Sequence, residues 1–272
     1  MILPLEWQLI AELLVLGSIA GFLAGLLGIG GGAMLVPFMT LVLSSKGMPA
    51  QHIVKMAVAT SLATICFTSI SSLRAHHQRG AVRWDVVKLL APGIVLGALL
   101  GAQIAKALPS GVLASLFAVF LTFSATQMFF DRKPEPSRQL PLGAGLFAVG
   151  LAIGVISTLV GAGGAFMSVP FMIACNVPII NAVATSAALG FPIAVAGTVG
   201  YVIAGWSLQD MPAGALGYIY LPALVTLALA SMTAAPFGAR AAHRMNVLQL
   251  KRAFACLLIT LAGYMLYKSL SF

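Results

Sequence analysis

The sequence predicts an all-α polytopic membrane protein made of two inverted-topology repeats, each of about five helical segments, with the second segment of each repeat short or broken at a Gly-rich loop. Three observations predict it. Of 272 residues, 60% are hydrophobic and 8% charged, with a mean hydropathy of +1.04, whereas a soluble domain carries roughly a quarter charged residues. Apolar runs recur along nearly the whole chain, most near the length of about twenty residues that crosses a hydrocarbon core about 30 Å thick. A glycine-rich stretch, "GIGGGAMLVPFM" at Gly28–Met39, returns as "GAGGAFMSVPFM" at Gly161–Met172.

The runs lie at 9–27, 31–44, 53–73, 86–107 and 111–130, then at 142–160, 165–177, 181–204, 213–235 and 249–270. The N-terminal "MILPLEWQLIAELLVLGSIAG" has no basic n-region and no convincing small-residue cleavage site, so it reads as the first span and not as a removable leader. Runs 31–44 and 165–177 are short and read as half-helices or shortened spans. "DRKPEPSR" (Asp131–Arg138) is the one polar, proline-bearing divider. It gives an N-terminal repeat at 1–130, a cytoplasmic linker at 131–141 and a C-terminal repeat at 142–272.

The halves resemble each other in detail. Gly21–Met39 and Gly154–Met172 match at ten of nineteen positions, including all of "VPFM". "AVATS" occurs at 57–61 and 182–186, and "GAQIAK" (101–106) aligns loosely with "GARAAH" (238–243).

Charge indicates how the halves are oriented. The loop after the third segment of the first half carries Arg74, Arg79, Arg83 and Lys88, while its counterpart "GWSLQDM" has no basic residue. The following loop reverses the bias, with Lys106 alone in the first half against Arg240, Arg244, Lys251 and Arg252 in the second. Basic loops stay in the cytoplasm. That placement leaves only Lys46, Lys55, Lys106 and Lys268 of the fifteen Lys and Arg outside. Equivalent loops then lie on opposite faces, as an odd number of segments per half requires, and both termini are expected to be periplasmic.

Gly28, Gly30 and Ala33 satisfy the loose dinucleotide pattern, but an apolar helix-length run precedes them and no acid occurs between Glu12 and Asp85. The strand, helix and acidic residue that such a site needs are missing. Membrane physics offers a better account. Consecutive glycines break a helix, and a helix restarting after them points free N–H groups and a positive dipole end at the gap. Pro37 and Pro170 fit a first helical turn, where a missing N–H costs little. Two such starts converging near the midplane make an anion site. The candidate binding residues are Gly30, Gly31, Gly32, Gly163, Gly164 and Ala165, with the hydroxyls of Thr60, Ser61, Thr185 and Ser186. Arg240, at the edge of an apolar run, is a weaker candidate that also reads as a snorkelling residue. Gly93, Gly97 and Gly101 have the small-xxx-small spacing of helix packing, and Asn181 reads as a helix cap.

Other chemistries find little support. All six acids lie at segment ends or in loops, which argues against a cation transporter or a carboxylate proton relay. Cys66, Cys175 and Cys256 lie in apolar runs with no disulfide or metal-ligand spacing. His76 and His77 are adjacent loop histidines without a third ligand nearby. No nucleophile sits beside a recognisable base, so no enzyme and no cofactor are expected. The net charge of +9 sets topology and is not a nucleic-acid signature. The expected partners are a small anion and the lipid bilayer, and a homodimer is compatible with the sequence. An anion channel and a non-transporting membrane subunit remain alternative readings of the same residues.

"GFLAGLLGIGGGAMLVPFM", its echo "GVISTLVGAGGAFMSVPFM", the paired "AVATS" segments and the closing "PFGARAAHRMNVLQLKRAFACLLITLAGYML" resemble the sulfite exporter TauE/SafE family, over practically the whole chain. The resemblance implies a bacterial inner-membrane permease, a secondary transporter for a small sulfur oxyanion such as sulfite, thiosulfate or an organosulfonate. Ala165 and Phe166 stand where the first motif has Gly32 and Ala33, so the two copies are expected to line the site unequally.

Overall fold

A computed structural model of the chain describes residues 7–27, 32–130, 139–141, 143–208, 210–242 and 247–271. Ten helices dominate the described residues: α1 (Trp7–Leu27), α2 (Gly32–Ser45), α3 (Ala50–Gln78), α4 (Trp84–Ala107), α5 (Ser110–Phe130), α6 (Ala144–Val160), α7 (Ala165–Ala174), α8 (Ile179–Gly205), α9 (Leu221–Ala242) and α10 (Val247–Ser269). Seven of them, α1, α3, α4, α5, α8, α9 and α10, are long and apolar enough to cross a membrane. The chain is an all-α polytopic membrane protein. Helices α2 and α7 are the short ones expected, about 21 Å and about 15 Å long at 1.5 Å per residue. The 17-residue α6 reaches about 26 Å.

Helix starts repeat between the halves. Pro49 precedes α3 and Pro178 precedes α8, each in an extended conformation. Their carbonyls accept the first helical bonds, from His52 N–H at 2.9 Å and Ala182 N–H at 2.8 Å. Proline suits this position because its fixed φ and absent N–H cost nothing outside the hydrogen-bonded ladder.

The packing is cross-wise. Helix α1 lies along α9, α6 along α4, α5 along α10, and α3 crosses α8 at the centre. Small residues make the first two seams. A Cβ on Gly97 would sit 2.2 Å from the Leu151 carbonyl oxygen, and one on Gly154 would sit 2.3 Å from that of Ile94. On the other seam, a Cβ on Gly21 would come within 2.4 Å of Ser231 Cα, and Ser231 Oγ donates to the Gly17 carbonyl at 3.1 Å. Between lipid-soluble helices the hydrophobic effect gives no preference for contact, so close backbone approach supplies the attraction. The Gly93–Gly97–Gly101 series is therefore a packing stripe.

Two loops reach into this core. The α8–α9 connection folds into a short antiparallel ladder, β1 (Ala215–Leu216) with β2 (Ile219–Tyr220), and buries Tyr218 and Tyr220 almost completely. Burial pushes both phenol pKa values up from the ordinary tyrosine value. Tyr220 N–H donates to Thr60 Oγ1 on α3 at 3.1 Å. The α3–α4 connection does the reciprocal thing: Arg83 N–H donates to Thr185 Oγ1 on α8 at 3.0 Å. Thr60 lies about 15 Å from the start of α3 and about 27 Å from its end. The α8–α9 loop is thus near the start of α3, and the α3–α4 loop is at the opposite end.

Several sequence expectations shift. Residues 213–220 are turns and ladder, not the beginning of a span, because Gly214 and Gly217 take positive φ values of 84° and 58°. The helix begins at Leu221 and continues through Pro236 to Ala242. His76 and His77 belong to the last turn of α3, not to a loop. Pro37 and Pro170 each fall in the second helical turn, since α2 and α7 begin five residues before them. There each ring deprives one first-turn carbonyl, that of Ala33 or Phe166, of its helical donor. Asn181 caps nothing on its own helix; its Nδ2 donates to the Ala81 carbonyl at 2.9 Å, pinning the α3–α4 loop.

Candidate functional site

The second glycine motif is a helix break bounded by two left-handed glycines. Gly161 ends α6 at φ 66°, with its own N–H and that of Ala162 both returning to the Ser157 carbonyl, a left-handed glycine cap that closes the helix. Gly164 then opens α7 at φ 76°, its carbonyl accepting from Met167 and Ser168 N–H at 3.1 and 2.9 Å. A non-glycine residue at either position costs roughly 1–2 kcal/mol in backbone strain. Helix geometry leaves the N–H groups of Ala165 and Phe166, at the start of α7, without intrahelical acceptors, at the positive end of its dipole.

The two motifs meet. A Cβ on Gly32, the first residue of α2, would lie 2.6 Å from the Gly161 carbonyl oxygen and 2.7 Å from Ile65 Cδ1. A Cβ on Gly161 would press on Val36 Cγ2 at 2.9 Å. Ser61 Oγ donates to the Gly161 carbonyl at 3.1 Å and lies 3.4 Å from that of Gly32, so one hydroxyl joins α3, α2 and the break before α7. In this conformation the Gly32–Gly161 contact is filled.

Space remains on the other side of the loop. The nearest atom to a Cβ on Gly163 would be Ile65 Cγ2 at 3.7 Å, and Gly163 and Ala165 are both partly accessible. Gly190 on α8 lets the Gly163 carbonyl come close, 3.4 Å from where its Cβ would be. Ser168 Oγ lies 3.0 Å from the Gly164 carbonyl and 2.7 Å from Ser186 Oγ. The glycine break, Ser61, Ser168 and Ser186 form one neutral polar group.

Thr60 and Thr185 take a different part. Their oxygens accept the loop N–H groups of Tyr220 and Arg83, so each clamps a connection from the opposite half. Arg240 does not join the group: it is exposed in the last turn of α9, with its guanidinium 5.8 Å from the centre of the Phe237 ring. Gly30 and Gly31 lie outside the described residues. No cluster of three metal-ligating side chains occurs among the described residues.

Two residues that sequence reasoning passed over stand beside the break. Ser157 is 2% exposed and Thr158 is fully buried, yet among the described residues neither hydroxyl has a hydrogen-bond partner. Ser157 Oγ lies 3.1 Å from the place of a Cβ on Gly164, and Thr158 Oγ1 lies 3.2 Å from that on Gly197. A desolvated, unpaired hydroxyl costs about 1–3 kcal/mol, so each is open to a polar partner, Ser157 Oγ on the Gly164 side and Thr158 Oγ1 on the Gly197 side. Aligning the halves carries the signal: the first half has Ala24 and Gly25 at the equivalent positions.

A separate cavity of about 390 Å³ opens where α3 and α5 begin, lined by Pro49, Ala50, Gln51, Lys55, Pro109 and Ser110. Lys55 is buried there and its Nζ donates to the Lys106 carbonyl at 2.9 Å, so it caps the C-terminal end of α4.

Comparison with known proteins follows the same lines. The family model described as sulfite exporter TauE/SafE matches residues 13–265. A probable membrane transporter protein of Haemophilus influenzae is 35% identical over 94% of this chain and 97% of its own length. Probable membrane transporter proteins of Methanocaldococcus jannaschii and Bacillus subtilis are each 28% identical, covering 87% and 86% of this chain and 86% and 90% of their own lengths. No solved structure matches the chain.

Proposed function

The chain belongs to the sulfite exporter TauE/SafE family of membrane transporters, and from that premise we propose that it is a secondary transporter moving a small sulfur oxyanion, such as sulfite or an organosulfonate, by alternating access. The observation that carries the reading is the break at Gly161–Gly164. Two left-handed glycines present the start of α7 to a partly open space flanked by unpaired buried hydroxyls. Free N–H groups at a helix start hold anion oxygens, and neutral hydroxyls complete the shell without attracting cations.

The route of access follows from the two-fold exchange in the packing. The most extensive contact and the two threonine bonds have counterparts when the halves are swapped: α1–α9 with α6–α4, and Thr60–Tyr220 with Thr185–Arg83. The loops held by Thr60 and Thr185 reach the α3–α8 crossing from opposite ends. This supports two repeats, 1–130 and 142–272, in inverted topology. The basic α3–α4 loop then faces the cytoplasm of a bacterial inner membrane, and both termini face the periplasm. Releasing one threonine clamp while keeping the other opens the α3–α8 crossing to one side at a time, the rocking expected of inverted repeats.

Purified protein in liposomes tests the proposal. It predicts saturable, protein-dependent sulfite flux that Gly163→Val abolishes, because its side chain fills the open face of the loop while leaving an allowed backbone. Flux that rises linearly with sulfite at all concentrations indicates a channel. Absence of flux for sulfite, thiosulfate and methanesulfonate alike rejects the transport reading.

A further inference from the structure

The polar group around the glycine break contains no charge, and that sets which ionic form of a substrate it can hold. We infer that the site takes monoanions, hydrogensulfite or a sulfonate, and refuses dianions such as sulfite in its fully ionised form or sulfate; the inference rests on the oxyanion reading above and sharpens its substrate class.

Helices α2, α6, α7 and α8, which supply Gly32, Ser157, Thr158, Ser168, Ser186 and Gly190, carry no Asp, Glu, Lys, Arg or His. The connection at residues 28–31 is also uncharged in sequence. On α3, the basic groups are His52, Lys55, Arg74, His76 and His77. The nearest to Ser61 in sequence, Lys55, lies about 9 Å along the helix and is held by the Lys106 carbonyl. On α4, Asp85 is paired with Arg83, while Lys88 and Lys106 lie in the end turns. Arg240 points away on α9. Among the described residues no fixed positive charge touches the group.

Dehydration cost grows with the square of the charge, so a dianion loses roughly four times what a monoanion loses on leaving water for the same interior. Neutral N–H and O–H donors at a helix start offset one negative charge well. They do not offset the additional loss of a second. A dianion needs either a fixed cation or a fuller cage of neutral donors, and among the described residues one helix start with a few hydroxyls supplies neither.

The two unpaired hydroxyls are acceptors as well as donors. A shell of N–H groups alone cannot receive a substrate proton. Ser157 Oγ and Thr158 Oγ1 can each accept the O–H of hydrogensulfite while donating to another of its oxygens, which would satisfy both atoms that the structure leaves unpaired. These hydroxyls occur only in the second half, so the proton-bearing oxygen has one place to go.

The experiment is thermal stabilisation of the detergent-purified full chain at fixed ionic strength, titrated with sulfite, sulfate and methanesulfonate on either side of the second ionisation of sulfite. Methanesulfonate is a monoanion throughout and controls for titration of the protein's own groups. The expected result has three parts. Methanesulfonate stabilises with the same half-saturation at both pH values, and sulfate does not stabilise. Sulfite weakens about tenfold for each pH unit above its ionisation, as the competent fraction falls.

Ser157→Ala and Thr158→Val sharpen the test. Each removes an unpaired buried hydroxyl, so neither variant unfolds the protein, and both weaken hydrogensulfite more than methanesulfonate. Sulfate binding as tightly as methanesulfonate, or sulfite affinity that does not fall with pH, overturns the inference while leaving oxyanion binding in place. A failure of all three anions to stabilise is the separate signature of a wrong oxyanion reading, and it overturns both.

Discussion

Ser61 Oγ donates to the carbonyl of Gly161, one hundred residues away, at 3.1 Å. The bond ties the hydroxyl-bearing helix of the first half to the helix break of the second. It fixes the backbone that shapes the candidate site. Ser61→Ala leaves that carbonyl without its donor and lets the α6–α7 connection relax. The expected cost is about 1–2 kcal/mol of stability, with weaker anion binding, measured by thermal melts with and without ligand. Ser61→Thr, which keeps the hydroxyl, is expected to retain more of both.

Thr60 and Thr185 hold loops rather than substrate in this conformation. Thr60→Val and Thr185→Val keep the shape and remove the acceptor, so each leaves a loop N–H unpaired. If the clamps gate opposite faces, the two variants change flux asymmetrically. Thr60→Val alters the half-saturation for one direction of transport in liposomes, and Thr185→Val alters it for the other. Identical effects in both directions contradict the gating role.

Glycines on the α4–α6 seam should be intolerant in a position-specific way. Gly97→Leu places a side chain where even a Cβ would lie 2.2 Å from the Leu151 carbonyl oxygen, and the helices can accommodate it only by separating. Loss of folded protein in size-exclusion chromatography is expected. Gly263→Leu on α10 meets nothing within 4 Å and should leave yield and melting temperature within about 0.5 kcal/mol of wild type.

Inverted repeats require that the α3–α4 and α8–α9 loops face opposite compartments. In a variant lacking the native cysteines, Ser207→Cys should react with a membrane-impermeant thiol reagent on intact cells. Gln78→Cys should react only after the membrane is opened. Labelling of both from outside, or of both only after disruption, contradicts the inversion.

Much of the helical layout was legible because twenty-residue apolar runs and their bounding prolines carry it directly. The break before α7 was legible because tandem glycines in a duplicated motif mark it; the equivalent residues 28–31 lie outside the described residues. Burial by loops was not. "GALGYIY" reads as span because it is apolar, yet it is a turn and ladder whose tyrosines are buried under the helices. Apolarity reports removal from water, not secondary structure. Hydroxyl roles were not legible either. Thr60 and Ser61 are neighbours in one motif, but on a helix they point about 100° apart and reach different partners. Ser157 and Thr158 lie within the repeated stretch, but at positions where the halves differ, and their isolation from partners exists only in three dimensions.

The measurement that tests the central claim most directly is anion-dependent thermal stabilisation of wild type beside Gly163→Val. A ligand that binds only the folded state raises the melting temperature, and Gly163 has room for a small group without backbone strain. The account predicts that methanesulfonate and sulfite below its second ionisation raise the wild-type melting temperature. It also predicts that Gly163→Val melts close to ligand-free wild type and no longer responds. An equal anion response in the two proteins would place the binding site elsewhere and contradict the account.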